Sequence, residues 1–284
     1  MKDKKRTINR AGGISRRSAL CSLAGAGGLA WSLLRPGPAR AQFRGPNFFE
    51  PEVPERPTFF FGQVVYGTGL SWNPYPTSAR SLMEILVKRT SVLASPDRVD
   101  LRLGDPKLFH YPFLYWTGAR EFDPLPEADV QRLKTFLEFG GFMLVDDALS
   151  ASGIGFDQSF QRELSRIFPG ETLAKLPEDH TVFQSYYLIS RVVGRASNRP
   201  FLSGITRGER TPLIYSANDL GGAWAREASG RWVNNVEPGG EGQREMAVRL
   251  GINIVLYALC VNYKKDLIHV PFISERRSGR RPRP

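Results

Sequence analysis

Three short stretches concentrate the side chains able to do acid–base or metal chemistry. In "GGFMLVDDALS" (140–150) two adjacent carboxylates, Asp146 and Asp147, follow four apolar residues. In "LPEDHTVF" His180 follows two acids and precedes an apolar pair, and in "LIYSANDLGGAW" Asn218 and Asp219 close an apolar run just before Gly221, Gly222 and Trp224. Hard oxygen donors such as Asp146 and Asp147 suit Mg²⁺, Ca²⁺ or Mn²⁺ better than a zinc thiolate site does. A histidine beside such acids is the usual general base. Each residue also has a plainer use. A carboxylate at a strand end caps the next turn, a loop histidine bonds locally, and Trp224 is either a lid over a pocket or an isolated aromatic. For the acid pair both alternatives stay open, because adjacent strand residues point to opposite faces and only one Asp can aim into a shared crevice.

No H-E-x-x-H, CxxC, P-loop, GxGxxG or G-x-S-x-G occurs, which removes the familiar metalloprotease, redox, nucleotide and serine-hydrolase signatures. His110 ("LFHYPF") and His269 ("LIHVPF") sit beside strand-like runs and read as structural. Cys260, within "INIVLYALCVNY", reads as a packed core thiol.

The elements that would position these residues follow from periodicity. Buried strands are expected at "TFFFGQVVY" (58–66), "YPFLYWTG" (111–118) and "FMLVDD" (142–147). Helices are expected at "SARSLMEILVKRT", at "LPEADVQRLKTFLEFGG" with Pro126 in the first turn, and at "GFDQSFQRELSRIFPG". "QSYYLISRVVG" and "RTPLIYSAND" read as two further strands. A glycine-rich loop (221–242) then leads to a last helix from about Gln243 to Asn262. Strand and helix alternating at this spacing imply an α/β fold with a mainly parallel sheet. In such sheets ligands bind outside the carboxyl ends of the strands, where Gly118, Asp146, Asp147, Asn218 and Asp219 would all lie.

The formal charge of +11 is confined to the ends. Residues 1–41 hold nine Lys or Arg against one acid, and 275–284 hold five Arg against one acid, leaving 42–274 at −1. A folded part without net positive charge argues against nucleic-acid binding. Residues 1–41 read as an export signal: a charged start, Arg16-Arg17, an apolar run rich in Gly and Ala, and Ala39-Arg40-Ala41 as a cleavage site after Ala41. The paired arginines resemble a twin-arginine signal, which implies the twin-arginine translocon and a periplasmic location. Ala19 and Cys21 depart from the usual pattern, and an uncleaved anchor is the alternative. Residues 42–57 read as a linker and 275–284 as a disordered basic tail. Cleavage would leave Cys260 as the one cysteine, so no disulfide could form within the mature chain.

"YPFLYWTG", "GGFMLVDD", "LPEDHTVF", "LIYSANDLGGAW" and "REMAVRLGINIVLYAL" together resemble the bacterial family called domain of unknown function 4159, over 58–274. The resemblance implies a flavodoxin-like sheet with helices on both faces, similar to class I glutamine amidotransferases. In those enzymes a central strand ends on a turn bearing a catalytic Cys. Here "LVDDALS" stands at that position without one, so the resemblance implies a fold that has lost its nucleophile. Two functions follow as expectations. The first is a non-catalytic module in the cell envelope that binds a protein or small-molecule partner. The alternative is a divalent-metal hydrolase using Asp146 or Asp147 with His180 and Asp219.

Overall fold

The computed structural model describes residues 59–263, and side chains up to Cys260. The expected signal, linker and basic tail lie outside the described residues. Seven strands form one mixed sheet: β1 (Gly62–Val65), β2 (Val99–Arg102), β3 (Phe113–Gly118), β4 (Phe142–Asp147), β5 (Ala174–Lys175), β6 (Ser203–Arg207) and β7 (Arg210–Ser216). Their order across the sheet is β2-β1-β3-β4-β7-β6-β5. The first five in that order run parallel, and β6 and β5 extend them antiparallel.

Five helices cover the sheet: α1 (Ser78–Arg89), α2 (Glu127–Glu138), α3 (Gly155–Ile167), α4 (Leu220–Trp224) and α5 (Gly240–Tyr263). The alternation of the central strands sorts their side chains between two cores. Phe113, Tyr115, Phe142 and Leu144 face α1, α4 and α5. Leu114, Trp116, Met143 and Val145 face α2 and α3. Strands buried on both faces read as unbroken apolar runs, which is how β3 and β4 read in the sequence. α2 starts after Pro126, carries Glu127 and Asp129 at its positive end, and buries Val130, Leu133, Phe136 and Leu137. Gly140 then takes φ 114° and ends it.

Three expectations change. "QSYYLISRVVG" contains no strand; it is a loop with Tyr186 and Leu188 exposed, 51% and 83%. The sheet takes Ser203–Arg207 instead, because that segment meets β7 across the tight turn at Gly208. The glycine-rich loop begins with a buried helical turn, α4. Cys260 is exposed rather than packed, since it falls on the outer face near the end of α5. The edge strand β2, too short and too polar to show a period, went unread.

Candidate site at the carboxyl edge of the sheet

β4 and β7 end side by side, Asp146 opposite Ser216, so Asp146, Asp147, Asn218 and Asp219 meet at one edge. Asp146 and Asp147 do not converge on one space. Asp146 continues the Phe142–Leu144 face and Asp147 the Met143–Val145 face.

Asp146 is fully buried and accepts three hydrogen bonds, from the Tyr115 hydroxyl (2.8 Å), the Leu220 amide (2.9 Å) and the Gly221 amide (2.8 Å). The two amides are among the unpaired N–H groups of the first turn of α4, which a carboxylate at a helix start satisfies. Burial pushes the Asp146 carboxyl up, and these donors pull it back. Asp147 accepts from the Leu149 and Ala151 amides, both 3.0 Å, and thereby shapes the turn after β4. Burial raises it to about 6, with Asp146 and Asp157 adding repulsion.

Asp219 sits at φ 56°, a left-handed conformation that Asp tolerates better than most residues. From there its side chain caps α4 through the Gly222 amide (2.9 Å), accepts from the Tyr75 hydroxyl (2.8 Å), and forms an ion pair with the Arg195 Nε. Burial, and then Asp146, raise Asp219 to about 7, while Arg195 and Tyr75 work against the rise. Asn218 exchanges bonds with the Arg199 backbone, accepting from its amide at 2.9 Å. Gly118 has no room for a ligand. A Cβ there would lie 2.1 Å from the Tyr66 hydroxyl and 2.7 Å from Phe156.

His180 lies elsewhere. It caps the short turn Thr181–Phe183: its Nδ1 accepts from the Val182 amide (3.1 Å), so the proton is on Nε2, which bonds the Thr211 hydroxyl (2.9 Å). Thr211 is the second residue of β7 and Ser216 its last, so His180 is about 16 Å of strand away from Asp146. The grouping of His180 with Asp146 and Asp219 is therefore not formed. Burial lowers its pKa. Trp224 is no lid either. It is fully buried, donates to the Ala247 carbonyl (2.9 Å) and packs against Gly251 of α5.

The residues do not fit a divalent ion. Asp146 and Asp147 diverge, their oxygens are occupied by amides, and among the described residues no group of three or more His, Cys, Asp or Glu is placed to hold a metal. Among the described residues two clefts open at this edge. The smaller, about 290 Å³, lies between the segments that follow β1 and β3 and is walled partly by Tyr66, Phe122 and Arg162; that guanidinium is engaged by Glu163 and the Phe122 carbonyl. The larger, about 500 Å³, lies beyond the end of β7 and has Arg195 in its wall.

The sequence reading missed Tyr75, Tyr115 and Arg195. No local pattern singles them out, since each acquires its role through a partner at least 24 residues away. A mixed α/β protein with its strand-end acids turned inward is thus the class defined here. The chain belongs to the family described as Domain of unknown function (DUF4159), whose model matches residues 60–259. No curated protein matches it.

Proposed function

We propose that this chain is an exported, non-catalytic binding module of the cell envelope, on a flavodoxin-like frame related to class I amidotransferases, with its ligand site at the carboxyl edge. One observation carries this reading: Asp146, Asp147 and Asp219, the acids best placed for chemistry, are consumed in holding α4, the turn after β4 and Arg195. Thiolate chemistry lacks its nucleophile, because Cys260 lies on α5 three residues beyond Tyr257, which bonds Thr211 at the opposite end of β7. Ser150 does occupy the turn after β4, at φ 57°, yet its buried hydroxyl has no hydrogen-bond partner and hence no base. The paired Arg16 and Arg17 support export.

The test joins cell fractionation to a hydrolytic screen. The full chain is expected outside the cytoplasm, and an Arg16→Lys/Arg17→Lys variant inside it. Purified protein is expected to turn over no chromogenic ester, amide, glycoside or phosphoester with Mg²⁺, Ca²⁺ or Mn²⁺ present. Cytoplasmic wild type would contradict export. Divalent-dependent turnover lost in Asp219→Asn would establish the hydrolase alternative.

A further inference from the structure

The cleft beyond β7 has a polar lining whose chemistry defines what it can hold. Its polar walls are Arg195, Ser197 and Asn198 on one side and Asn234, Asn235 and Glu237 on the other. The walls are tied together from beneath. The buried Gln243 amide donates to the Gly194 carbonyl (2.9 Å), the Arg195 carbonyl (3.3 Å) and the Glu237 carbonyl (2.8 Å). Buried Arg244 donates to the Asn234 carbonyl (2.7 Å). Gly194 permits the close approach behind the first wall, since a Cβ there would lie 2.1 Å from the Asn218 carbonyl oxygen. A cleft braced in this way is formed before any ligand arrives, which removes part of the ordering cost of binding.

Two amide planes are fixed by their own donors. Asn198 donates to the Ser150 carbonyl (2.8 Å) and Asn234 to the Gly222 carbonyl (3.0 Å). Their Oδ1 atoms, the Glu237 carboxylate, and both ends of the Asn235 amide have no protein partner among the described residues. The second N–H of Asn198 and of Asn234, both N–H groups of Asn235 and the Ser197 hydroxyl stand beside these acceptors, so the complement is a ligand that both donates and accepts. Charge narrows it further. Arg195 reaches buried Asp219 through its Nε and Glu237 stands in the opposite wall, so the two walls carry opposite charges and a ligand of either net charge meets a like charge in one of them. Hydroxyl groups, which donate and accept without charge, suit both walls.

We infer that this cleft binds a neutral, hydroxyl-rich ligand of mono- or disaccharide size. Its volume of about 500 Å³ is within the range of small-molecule sites. The inference rests on the binding-module reading and adds the ligand class.

The test is calorimetric titration of the full chain with maltose, cellobiose and N-acetylglucosamine, beside charged glucuronate and glucosamine. The variant is Asn235→Ala/Glu237→Ala, which removes two side chains without protein partners and leaves the melting temperature unchanged. Saturable binding of a neutral sugar, weakened about tenfold or more in the variant, is expected. Binding confined to a charged sugar, neutral binding indifferent to the variant, or no neutral binding up to about 10 mM overturns the inference. The two readings fail separately. A sugar that binds and is cleaved leaves the ligand class standing and removes the non-catalytic reading. A silent hydrolytic screen with no sugar bound does the reverse.

Discussion

At the scale of single residues, a carboxylate at a strand end can be a reagent or a fastener, and its donors decide which. Asp146 accepts from one hydroxyl and two amides at a fully buried position, so losing it strands three buried donors. We expect Asp146→Ala to lower the free energy of unfolding by about 3 kcal/mol or more, and Asp146→Asn by less, measured by urea denaturation. Asp147 makes a separate prediction through pH. Its folded-state pKa of about 6 lies above the ordinary 3.8, so the folded chain binds the proton more tightly than the unfolded one. The resulting stabilisation is full below the unfolded value and is lost as pH rises through about 6. Asp147→Asn does not titrate there. Its stability relative to wild type should therefore climb by about 2 kcal/mol between roughly pH 4 and pH 7, read from paired denaturation curves. A gap that stays constant would mean that Asp147 titrates at its ordinary value.

At the scale of elements, the short helix α4 is the piece the acids secure, and α5 packs across it. Gly251 of α5 makes room for the Trp224 ring, from which a Cβ would lie 2.7 Å away. Alanine at a helix interior is worth about 1 kcal/mol over glycine, whereas forcing a methyl into a packed core costs about 1–3 kcal/mol. Packing should win, so Gly251→Ala is predicted to lower the melting temperature; a rise would show α4 to be loosely held. The same elements mark what the sequence made legible. β3, β4, α2 and α3 were readable because each buries a continuous run or a clear stripe, and β4 runs from Phe142 to Asp147 as expected. The segment 184–194 misled because Tyr186, Leu188 and Val192–Val193 have strand composition, yet its order comes from long-range bonds such as Asn253 to the Tyr187 backbone. α4 was hidden by Gly221 and Gly222, poor helix formers held helical by Asp146 and Asp219 from outside the helix. The convergence of Asp146 and Asp219 on that turn follows from the pairing of β4 with β7, which sets Asp146 opposite Ser216, 70 residues on, and no local period encodes it.

At the scale of the whole molecule, a mainly parallel sheet places every strand end that could host chemistry on one edge, and this chain has used its acids there for construction. Among the described residues, that edge opens to solvent in a braced polar cleft beyond β7 and a smaller one between the segments that follow β1 and β3. Among the described residues no helix is long and apolar enough to cross a membrane. The measurement that bears most directly on this account is the melting temperature of the purified full chain, apo and titrated with Mg²⁺, Ca²⁺ and Mn²⁺, beside Asp146→Asn. A ligand selective for the folded state raises the melting point by mass action. The account predicts no saturable rise with any of the three ions, and a lower melting point for Asp146→Asn that is equally indifferent to them. A saturable rise in wild type that vanishes in Asp146→Asn would contradict it, making the strand-end carboxylate a metal ligand after all.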